Sequence, residues 1–350
     1  MAQTVHNISI ESPAGWKDYE ILDSGDGYKL ERFGDFIMSR PEPKALWSKS
    51  MSEAEWKKLA HTVFHPGAGF GKAGKEDVGT WEMLKKMPER WFIEYKGTDR
   101  RAAEWSALRH GTAVAHPRPQ NLDGLYMKMR LGLTSFKHVG VFPEQASNWE
   151  WIYAHTQMLC NYAEVSSAIE RDHKESAKDK KPKVLNLFAY TGGATLAAKC
   201  AGAEATHVDS VKQVVNWAKE NMASSGLDNI RWIVDDALKF VKREIRRGNT
   251  YNGLILDPPA YGHGPDGERW KLDELLFEML EECSKIVAKE HSFVVLNLYS
   301  NGYSALLADT LLKKAFGDYA GREYTCGELV LEDKFKKVIP LSVFARMFTK

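Results

Sequence analysis

The clearest chemical signal in the sequence is an acid followed by two prolines and an aromatic residue, at Asp257-Pro258-Pro259-Ala260-Tyr261. The prolines fix the backbone, so the Asp257 carboxylate and a neighbouring carbonyl are held ready to accept hydrogen bonds from an amino group. The ring of Tyr261 is placed to stack on a flipped base. The segment predicts a site that attracts an amine and orients its lone pair. The structural alternative is a tight turn after a core strand.

Polar side chains also end three other apolar runs, at Asn186, Asp209 and Asp236. Each run has the length and composition of a buried strand and leads into a helical pattern. Parallel strands of an open α/β sheet end at one crevice, so with Asp257 the four side chains are expected to share it. The series predicts a cofactor site with a reaction centre at its edge. For Asp235 and Asp236 the alternative is helix capping.

A glycine turn follows the first apolar run, at Thr191-Gly192-Gly193, and opens an alanine-rich helical pattern. A strand, a glycine turn and a helix N-terminus together present backbone N–H groups to a ligand. Tyr190 stands where the dinucleotide fingerprint G-x-G-x-x-G needs a glycine, so a nicotinamide site is disfavoured. The glycine-rich stretch 65–74 lacks the spacing of a phosphate loop and is predicted to be an ordinary loop.

Together these motifs resemble the class I S-adenosylmethionine-dependent methyltransferases, and more narrowly the bacterial branch that modifies large-subunit ribosomal RNA. The resemblance rests on Asn-Leu-Phe-Ala-Tyr-Thr-Gly-Gly, His-Val-Asp-Ser, Asp-Asp-Ala-Leu-Lys-Phe and Asp-Pro-Pro-Ala-Tyr, and it covers the chain from about residue 136 onward. It implies transfer of a methyl group from S-adenosylmethionine to ribosomal RNA. It also implies that Asp257, Pro258, Pro259 and Tyr261 form the catalytic centre.

The resemblance further implies which residues hold the cofactor. Asp209 would accept the ribose hydroxyls, Asp236 would take the adenine amino group, and the glycine turn would lie against the methionine moiety. An aromatic-x-acid-Gln element starting at Phe142 would close over the methionine end, although Glu144 is also a candidate helix cap. The residues assigned to the cofactor are Phe142, Glu144, Gln145, Asn186, Phe188, Tyr190, Thr191, Gly192, Gly193, Asp209, Ser210, Asp235, Asp236, Ala237 and Asp257.

The acceptor atom is narrowed by what the motifs lack. Enzymes that make 5-methylcytosine attack the base with a cysteine thiolate, and the corresponding position here reads Tyr299-Ser300-Asn301. The sequence shows no lysine-centred tetrad for a ribose hydroxyl, so a base nitrogen fits best. Two alternatives stay open: a methyltransferase acting on a protein or small molecule, and an inactive RNA-binding or assembly factor with the same fold.

Composition sets bounds on the protein class. The formal net charge is +1, so an RNA partner would need a local basic patch. Residues 84–139 contain eleven basic and five acidic residues with Trp91, Tyr95, Trp105 and Tyr126, which predicts an RNA-binding surface or, alternatively, a solvated face. Four scattered cysteines predict a cytoplasmic protein without a disulfide framework or metal site. No apolar run reaches the ~18 residues of a membrane helix, so no membrane partner is expected.

The elements that position these residues are predicted to form two domains. Residues 1–135 form a smaller β-rich N-terminal domain that binds RNA or substrate, with a capped helix beginning after Ser52. Residues 136–350 form the α/β methyltransferase domain, a seven-stranded Rossmann-like sheet with helices on both faces. Its last two strands follow each other without a helix, which predicts an antiparallel pair at the sheet edge. Helices are predicted at 149–169, 212–222, 270–287 and 304–314.

Overall fold

The computed structural model of the protein describes residues 7–68, 77–97, 124–171, 181–299, 302–318 and 320–350. The elements of the N-terminal part are β1 (Ile8–Glu11), β2 (Tyr19–Gly25), β3 (Tyr28–Phe33), β4 (Phe36–Pro41), α1 (Glu53–Leu59), β5 (Thr62–Pro66), β6 (Gly79–Met83), β7 (Arg90–Lys96) and β8 (Tyr126–Gly132). A short 3-10 helix at Pro143–Gln145 then leads into the C-terminal part.

The C-terminal part alternates strands and helices, as the sequence predicts. Its elements are α2 (Ala146–Arg171), β9 (Lys183–Leu187), α3 (Gly193–Cys200), β10 (Glu204–Asp209), α4 (Lys212–Ser224), β11 (Arg231–Val234), α5 (Ala237–Arg246), β12 (Gly253–Leu256), β13 (Tyr261–His263), β14 (Arg269–Lys271), α6 (Leu272–Ser284), β15 (Ser292–Leu298), α7 (Ala305–Phe316), β16 (Arg322–Glu332) and β17 (Val338–Thr349).

One large mixed sheet carries the C-terminal part, in the order β1-β16-β17-β15-β12-β9-β10-β11. Strands β9, β10, β11, β12 and β15 pair in parallel, while β17 is antiparallel to both β15 and β16. The predicted antiparallel ending is confirmed. The sheet has eight strands rather than the predicted seven, because β1 pairs in parallel with the outer side of β16. A four-residue run so distant from its partner gives no signal of this pairing in the sequence.

The predicted β-rich N-terminal region is also confirmed. Strands β2 to β6 form a five-stranded sheet, and β7 and β8 form a separate antiparallel pair. Helix α1 has the capping box that its sequence predicts, with Ser52 and Glu55 each binding the other's backbone N–H group. The boundary after residue 135 stays a prediction, although β1 shows that the N-terminal segment also contributes to the large sheet.

The large sheet is buried on both faces, since the central strands are continuous apolar runs. One face packs against α5, α6 and α7, and the other packs against α2 and part of the N-terminal region. At that second face the Tyr95 ring lies 5.5 Å from the Trp149 ring, and the Tyr95 hydroxyl donates to Glu150 at 2.6 Å. The N-terminal region is therefore packed directly against the helix that borders the strand ends.

One local prediction is wrong. Trp270 was expected to begin a helix, but it lies in β14, which forms a hairpin with β13, and the helix begins at Leu272. The hairpin is closed by antiparallel pairing of Tyr261 with Lys271. Its position directly after the Asp-Pro-Pro segment matters for the site.

Candidate active site

A first cavity, here called the strand-end cavity, opens where β9, β12 and β15 end. These strands are parallel, so they deliver Asn186, Asp257 and Asn297 to one edge of the sheet. The space inside the cavity, including the part that is open to solvent, is about 570 Å³. Nine of the residues predicted from the sequence line it, namely Phe142, Gln145, Asn186, Phe188, Tyr190, Thr191, Gly192, Gly193 and Asp257.

The turn after β9 presents backbone to this cavity. Phe188 and Tyr190 have φ angles of 56° and 48°, and Gly192 has a φ of 93°. Left-handed conformations cost non-glycine residues about 1–3 kcal/mol and collect at functional sites. Gly193 is required for another reason, because an added Cβ would lie 2.7 Å from the indole of Trp149. A side chain at Gly193 would therefore displace the wall of the cavity.

Helix α3 begins at this turn without a side-chain cap. Its first residues, Gly193 and Ala194, line the strand-end cavity together with the N-cap residue Gly192. The N–H groups of a first helical turn have no partners within the helix and carry partial positive charge. This end of the cavity therefore suits a negatively charged group.

A buried polar chain lies behind the turn. The amide nitrogen of Asn186 donates to Thr195 Oγ1 at 2.9 Å, and Thr195 Oγ1 lies 3.0 Å from His207 Nδ1. Burial lowers the pKa of His207 to about 3, so its ring is neutral at physiological pH. The chain fixes the orientation of the Asn186 amide at the base of the cavity.

Asp209 ends β10 directly beside the same turn. Its two carboxylate oxygens accept hydrogen bonds from the backbone N–H groups of Tyr190 and Val211, each at 2.9 Å. Burial raises the pKa of Asp209 above its ordinary value, and these two hydrogen bonds oppose the rise. Asp209 is not itself among the residues that line the cavity, whereas Tyr190 is. The carboxylate therefore adjoins the wall of the cavity through the Tyr190 N–H group.

Four other predicted cofactor residues are also outside the lining of the strand-end cavity: Ser210, Asp235, Asp236 and Ala237. Asp236 is the N-cap of α5, where its Oδ1 accepts from the Lys239 N–H at 2.8 Å. Asp235 forms an ion pair with Arg243. The capping alternative for Asp236 is therefore present in the structure, and an adenine-binding role for it stays a prediction.

A second cavity, here called the charged cavity, adjoins the first and has a volume of about 920 Å³ including the part that is open to solvent. The two cavities share Val141, Phe142, Gln145 and Asp257. Of the predicted residues, Glu144 also lines the charged cavity. Its remaining lining was not indicated by the sequence and consists of Lys29, Arg40, Pro41, Glu42, Pro43, Lys44, Lys137, His138, Pro143, Tyr299 and Leu341. The N-terminal region thus supplies one wall of the site.

A buried ionic network centred on Glu31 holds this wall. Glu31 accepts from the Tyr19 hydroxyl at 2.8 Å and pairs with Arg40 at 2.7 Å. The Lys29 ammonium lies 3.5 Å from the carboxylates of both Glu31 and Glu42. Burial pushes the pKa of Glu31 upward, but Arg40 and Lys29 outweigh it and the pKa is lower than its ordinary value. The wall therefore keeps its charge at neutral pH.

Asp257 lies where the cavities meet. Its Oδ1 accepts from the side-chain amide nitrogen of Asn297 at 2.7 Å. The side-chain carbonyl of Asn297 accepts from the Ser342 hydroxyl at 3.1 Å. Burial raises the pKa of Asp257 to about 7, the Asn297 hydrogen bond opposes the rise, and the Glu144 carboxylate adds to it. A carboxyl group with such a pKa exchanges a proton readily at neutral pH.

The rest of the Asp-Pro-Pro segment lies outside the lining of both cavities. Pro258, Pro259 and Tyr261 are not among the lining residues of either cavity. The Pro259 carbonyl accepts from the Trp270 indole at 2.7 Å, which ties it to the hairpin. Tyr261 begins that hairpin and is 41% exposed. The structure therefore brings Asp257 alone of this segment to the cavities, and the stacking role of Tyr261 stays a prediction.

A different aromatic group borders Asp257. The ring of Phe142 packs 5.3 Å from Tyr190 and 4.8 Å from His138. On its other side lies Tyr299, whose ring centroid is 6.3 Å away with the two planes 28° apart. Phe142 and Tyr299 both line the charged cavity. Tyr299 is a second candidate for stacking on a base, a role that the sequence did not indicate.

The element from Phe142 to Gln145 joins the two cavities. Burial raises the pKa of Glu144, which faces the charged cavity. The side-chain carbonyl of Gln145 accepts from the side-chain amide of Asn148 at 2.8 Å. The side-chain carbonyl of Asn148 accepts from the Arg346 guanidinium at 2.7 Å. Arg346 in turn forms a bidentate pair with Glu11 of β1 at 2.9 and 3.0 Å. The eighth strand is thus linked to the strand-end cavity through side chains.

The whole chain is similar to a solved structure. The crystal structure of a SAM (S-adenosylmethionine) dependent methyltransferase from Agrobacterium tumefaciens is 33% identical and has a TM-score of 0.77, covering 100% of this chain and 98% of that one. The chain belongs to the S-adenosylmethionine-dependent methyltransferases. The membership confirms the family, the enzyme class and the cofactor that the sequence predicts.

Other similarities of this methyltransferase are partial or distant. The family described as conserved hypothetical protein 95 matches residues 173–297. A Streptococcus mutans protein assigned to the same methyltransferase class is 16% identical with a TM-score of 0.60, covers 94% of this chain and 75% of that chain, and shows the fold alone. These matches agree with the α/β class of the large sheet.

Curated relatives of the methyltransferase share only a segment with it. Ribosomal RNA large subunit methyltransferase K/L of Shewanella frigidimarina is 33% identical over 124 residues, which are 34% of this chain and 17% of that protein. Ribosomal RNA large subunit methyltransferase I of Klebsiella pneumoniae is 30% identical over 82 residues, which are 23% of this chain and 20% of that protein. The chain therefore spans about a fifth or less of the length of these relatives.

Within the described parts of the methyltransferase, no group of three or more His, Cys, Asp or Glu side chains is arranged to hold a metal ion. No helix among the described residues is both long and apolar enough to cross a membrane.

Proposed function

We propose that this methyltransferase transfers its methyl group to a base nitrogen in ribosomal RNA. The observation that carries the proposal is the position of Asp257 on the wall common to the two cavities. The strand-end cavity then holds the methyl donor and the charged cavity admits the acceptor. The carboxyl group of Asp257 faces both cavities. That arrangement suits a direct transfer in which the protein orients the acceptor and receives its proton.

We assign S-adenosylmethionine to the strand-end cavity. The uncapped first turn of α3 beside Gly193 suits the carboxylate of the methionine moiety. Asp209, behind Tyr190, is assigned to the ribose hydroxyls. Asp236 caps α5 through one carboxylate oxygen, and its second oxygen is assigned to the adenine amino group, next to the Ala237 N–H.

The chain's own residues control position and protonation. When bound, S-adenosylmethionine supplies a methyl group whose S–C electron pair stays on sulfur as the acceptor lone pair forms the new N–C bond. Ionised Asp257 accepts the hydrogen of the acceptor N–H and thereby directs the lone pair towards the strand-end cavity. The same carboxylate receives the proton, for which its pKa of about 7 is well matched. Phe142 and Tyr299 hold the plane of the base.

A nitrogen acceptor agrees with the positions of the cysteines. Methylation of a ring carbon needs a thiolate at the base, and none of the four cysteines lines either cavity. Cys283 and Cys326 are buried, and burial raises the pKa of both thiols, which disfavours their thiolate forms. Cys160 and Cys200 donate to backbone carbonyls of Ala201 and Tyr126. The cavity instead offers the carboxylate that an N–H group requires.

Ribosomal RNA as substrate is supported by the names of the curated relatives and by the surface of the β7–β8 pair. On that surface Phe92 is 46% exposed and the Lys128 ammonium lies 5.6 Å from its ring. The Lys96 ammonium lies 5.6 Å from the ring of Tyr126. Cations beside exposed rings suit phosphates and unstacked bases. The rest of the predicted basic segment, residues 98–123, lies outside the described residues.

A methyl-transfer assay tests the proposal. The purified protein is given S-adenosylmethionine with a radioactive methyl group and either ribosomal RNA from a strain that lacks its gene or a protein fraction from that strain. We expect label in a modified base of the RNA, located by nuclease digestion and mass spectrometry. Label in protein alone, or RNA binding without any cofactor binding in calorimetry, would replace the proposal by one of the two alternatives.

The cofactor assignment has its own test. Replacing Asp209 with alanine should weaken binding of S-adenosylmethionine roughly 10- to 100-fold, because one charged hydrogen-bonding partner of the ribose is lost. Glu204, an exposed acid at the start of the same strand, gives the matched control when replaced with alanine. Equal cofactor affinity in the two variants would remove Asp209 from the site.

A further inference from the structure

The N-terminal region places a buried pair of opposite charges in the charged cavity. Lys29 lies on β3 and Glu42 follows β4, and they are only 7% and 8% exposed. Their charged groups lie 3.5 Å apart, and both residues line the cavity that contains Asp257. This separation is longer than a good hydrogen bond, so Lys29 and Glu42 do not form a close hydrogen-bonded ion pair. Buried charges usually satisfy each other more closely than this.

The other cations of the cavity are committed to protein partners. Arg40 binds Glu31 and donates to the Lys137 carbonyl at 3.0 Å. The Lys137 ammonium pairs with Asp77 at 2.8 Å, and the Lys44 ammonium donates to the Leu341 carbonyl at 2.9 Å. Such a wall holds no surplus positive charge for a phosphate group. It presents a donor at Lys29 and an acceptor at Glu42, side by side.

The pair lines the same cavity as Asp257 and Glu144. Burial raises the pKa of Glu144, which Lys29 lowers and Glu42 raises further, and the Glu144 carboxylate adds to the raised pKa of Asp257. Because Lys29, Glu42 and Asp257 line one cavity, a planar group bound in it can face the charged pair and the reaction centre together.

We propose that Lys29 and Glu42 recognise the target nucleotide by hydrogen bonding to the edge of its base, with Lys29 as donor and Glu42 as acceptor. This inference rests on the proposed function and makes the N-terminal region the part of the active site that selects the base. A neutral edge with adjacent donor and acceptor atoms matches such a pair, because it can enter between the two charges without leaving either unpaired. The Glu31–Arg40 network holds Lys29 in place.

The test compares Glu42→Gln and Lys29→Met with Lys57→Met, whose lysine lies exposed on α1. Glu42→Gln leaves Lys29 paired with Glu31, so it is the variant expected to fold normally. Measured on ribosomal RNA, kcat/KM should fall about 10- to 100-fold in both cavity variants. Affinity for S-adenosylmethionine should stay within about twofold of the parent, and Lys57→Met should match the parent in both measurements.

The outcomes separate this inference from the proposed function. If the parent protein methylates RNA and Glu42→Gln is equally efficient on it, base recognition by the pair is excluded while the function stands. If kcat/KM falls only in proportion to a loss of cofactor affinity, the residues support the fold and not the base. If the parent transfers no methyl group to RNA, both proposals fail together. A Glu42→Gln enzyme that accepts RNA altered at the target base would support the inference most directly.

Discussion

The two cavities that meet at Asp257 are constructed in different ways. The strand-end cavity is bordered by backbone. This backbone comprises a turn with two left-handed non-glycine residues and the uncapped start of a helix, and all of it lies within one half of the chain. The charged cavity is bordered by side chains of a buried ionic network that comes from the N-terminal strands. A site bordered by backbone should tolerate substitutions that change the charge of a side chain but not those that add volume. A site bordered by paired charges should be sensitive to a change of charge instead, because removing one partner leaves the other as an unpaired buried ion.

The largest effect is expected where the two cavities join. Asp257→Ala should lower kcat by roughly 10²- to 10⁴-fold, since it removes the proton acceptor, while affinity for S-adenosylmethionine changes no more than a few-fold. Single-turnover kinetics and calorimetry measure the two quantities. Asp266→Ala, in the exposed turn of the neighbouring hairpin, is the control. A parallel loss of cofactor binding in Asp257→Ala would show that the residue belongs to the strand-end cavity alone.

The ionic network should respond strongly to loss of a charge. Glu31→Ala should reduce the free energy of unfolding by about 3–5 kcal/mol, because it leaves Arg40 buried without its carboxylate. Glu53→Ala removes an ion pair in which the glutamate side chain is 78% exposed, and should cost below about 1 kcal/mol. Urea denaturation of both variants measures the difference. Similar midpoints would mean that the charged wall does not hold the N-terminal region together.

The strand-end cavity should respond to volume. Gly193→Ala is expected to lower stability by about 1–3 kcal/mol and to weaken cofactor binding, since the new Cβ would lie 2.7 Å from the Trp149 indole. Gly262→Ala is the control, because its Cβ would meet its nearest neighbour at 3.6 Å, an ordinary contact. Thermal unfolding with and without S-adenosylmethionine reports both effects. An unchanged ligand-induced shift in Gly193→Ala would count against a backbone-built cofactor site.

The smallest expected effect is on the pH profile. Asp257 must be ionised to accept a proton, and burial raises its pKa to about 7, so kcat/KM should fall as the pH drops below about 7 and level off above it. Asn297→Leu removes the hydrogen bond that opposes this rise, so the inflection should move to higher pH. Activity near pH 7 should then fall roughly threefold to tenfold, with little change at about pH 9. Identical profiles would contradict a role for ionised Asp257.

The same contrast explains what the sequence could predict. The strand-end cavity comes from strand, turn and helix motifs that are local in sequence, so the pattern from Asn186 to Gly193 was sufficient to place six of its residues. Asp236 shows the limit of such patterns, because an acid before a helix suits both a cap and a ligand, and the cap is what the structure displays. Its role towards the cofactor depends on contacts that a motif cannot specify.

The charged cavity was not predicted, because it depends on contacts between distant parts of the chain. Lys29 and Glu31 look like surface charges on a short strand, yet both are buried in the folded protein, and Lys29 lines a cavity together with Lys137 and His138. Tyr261 was assigned the stacking role because it lies two residues after the second proline, in the same motif as Asp257. The hairpin that carries Tyr261 is tied to the Pro259 carbonyl by Trp270, which the helical pattern had placed in the next helix.

The eighth strand has a consequence for how the molecule assembles. Strand β1 lies ahead of all other described elements, yet it pairs at the sheet edge with β16, with Ile8 opposite Cys326. During synthesis β1 therefore lacks its partner strand until residues 322–332 have left the ribosome. The bond between Glu11 and Arg346 can form only after that moment. Closure of the sheet edge is then a late step of folding, and slow pairing of this kind is expected from contacts of such long range.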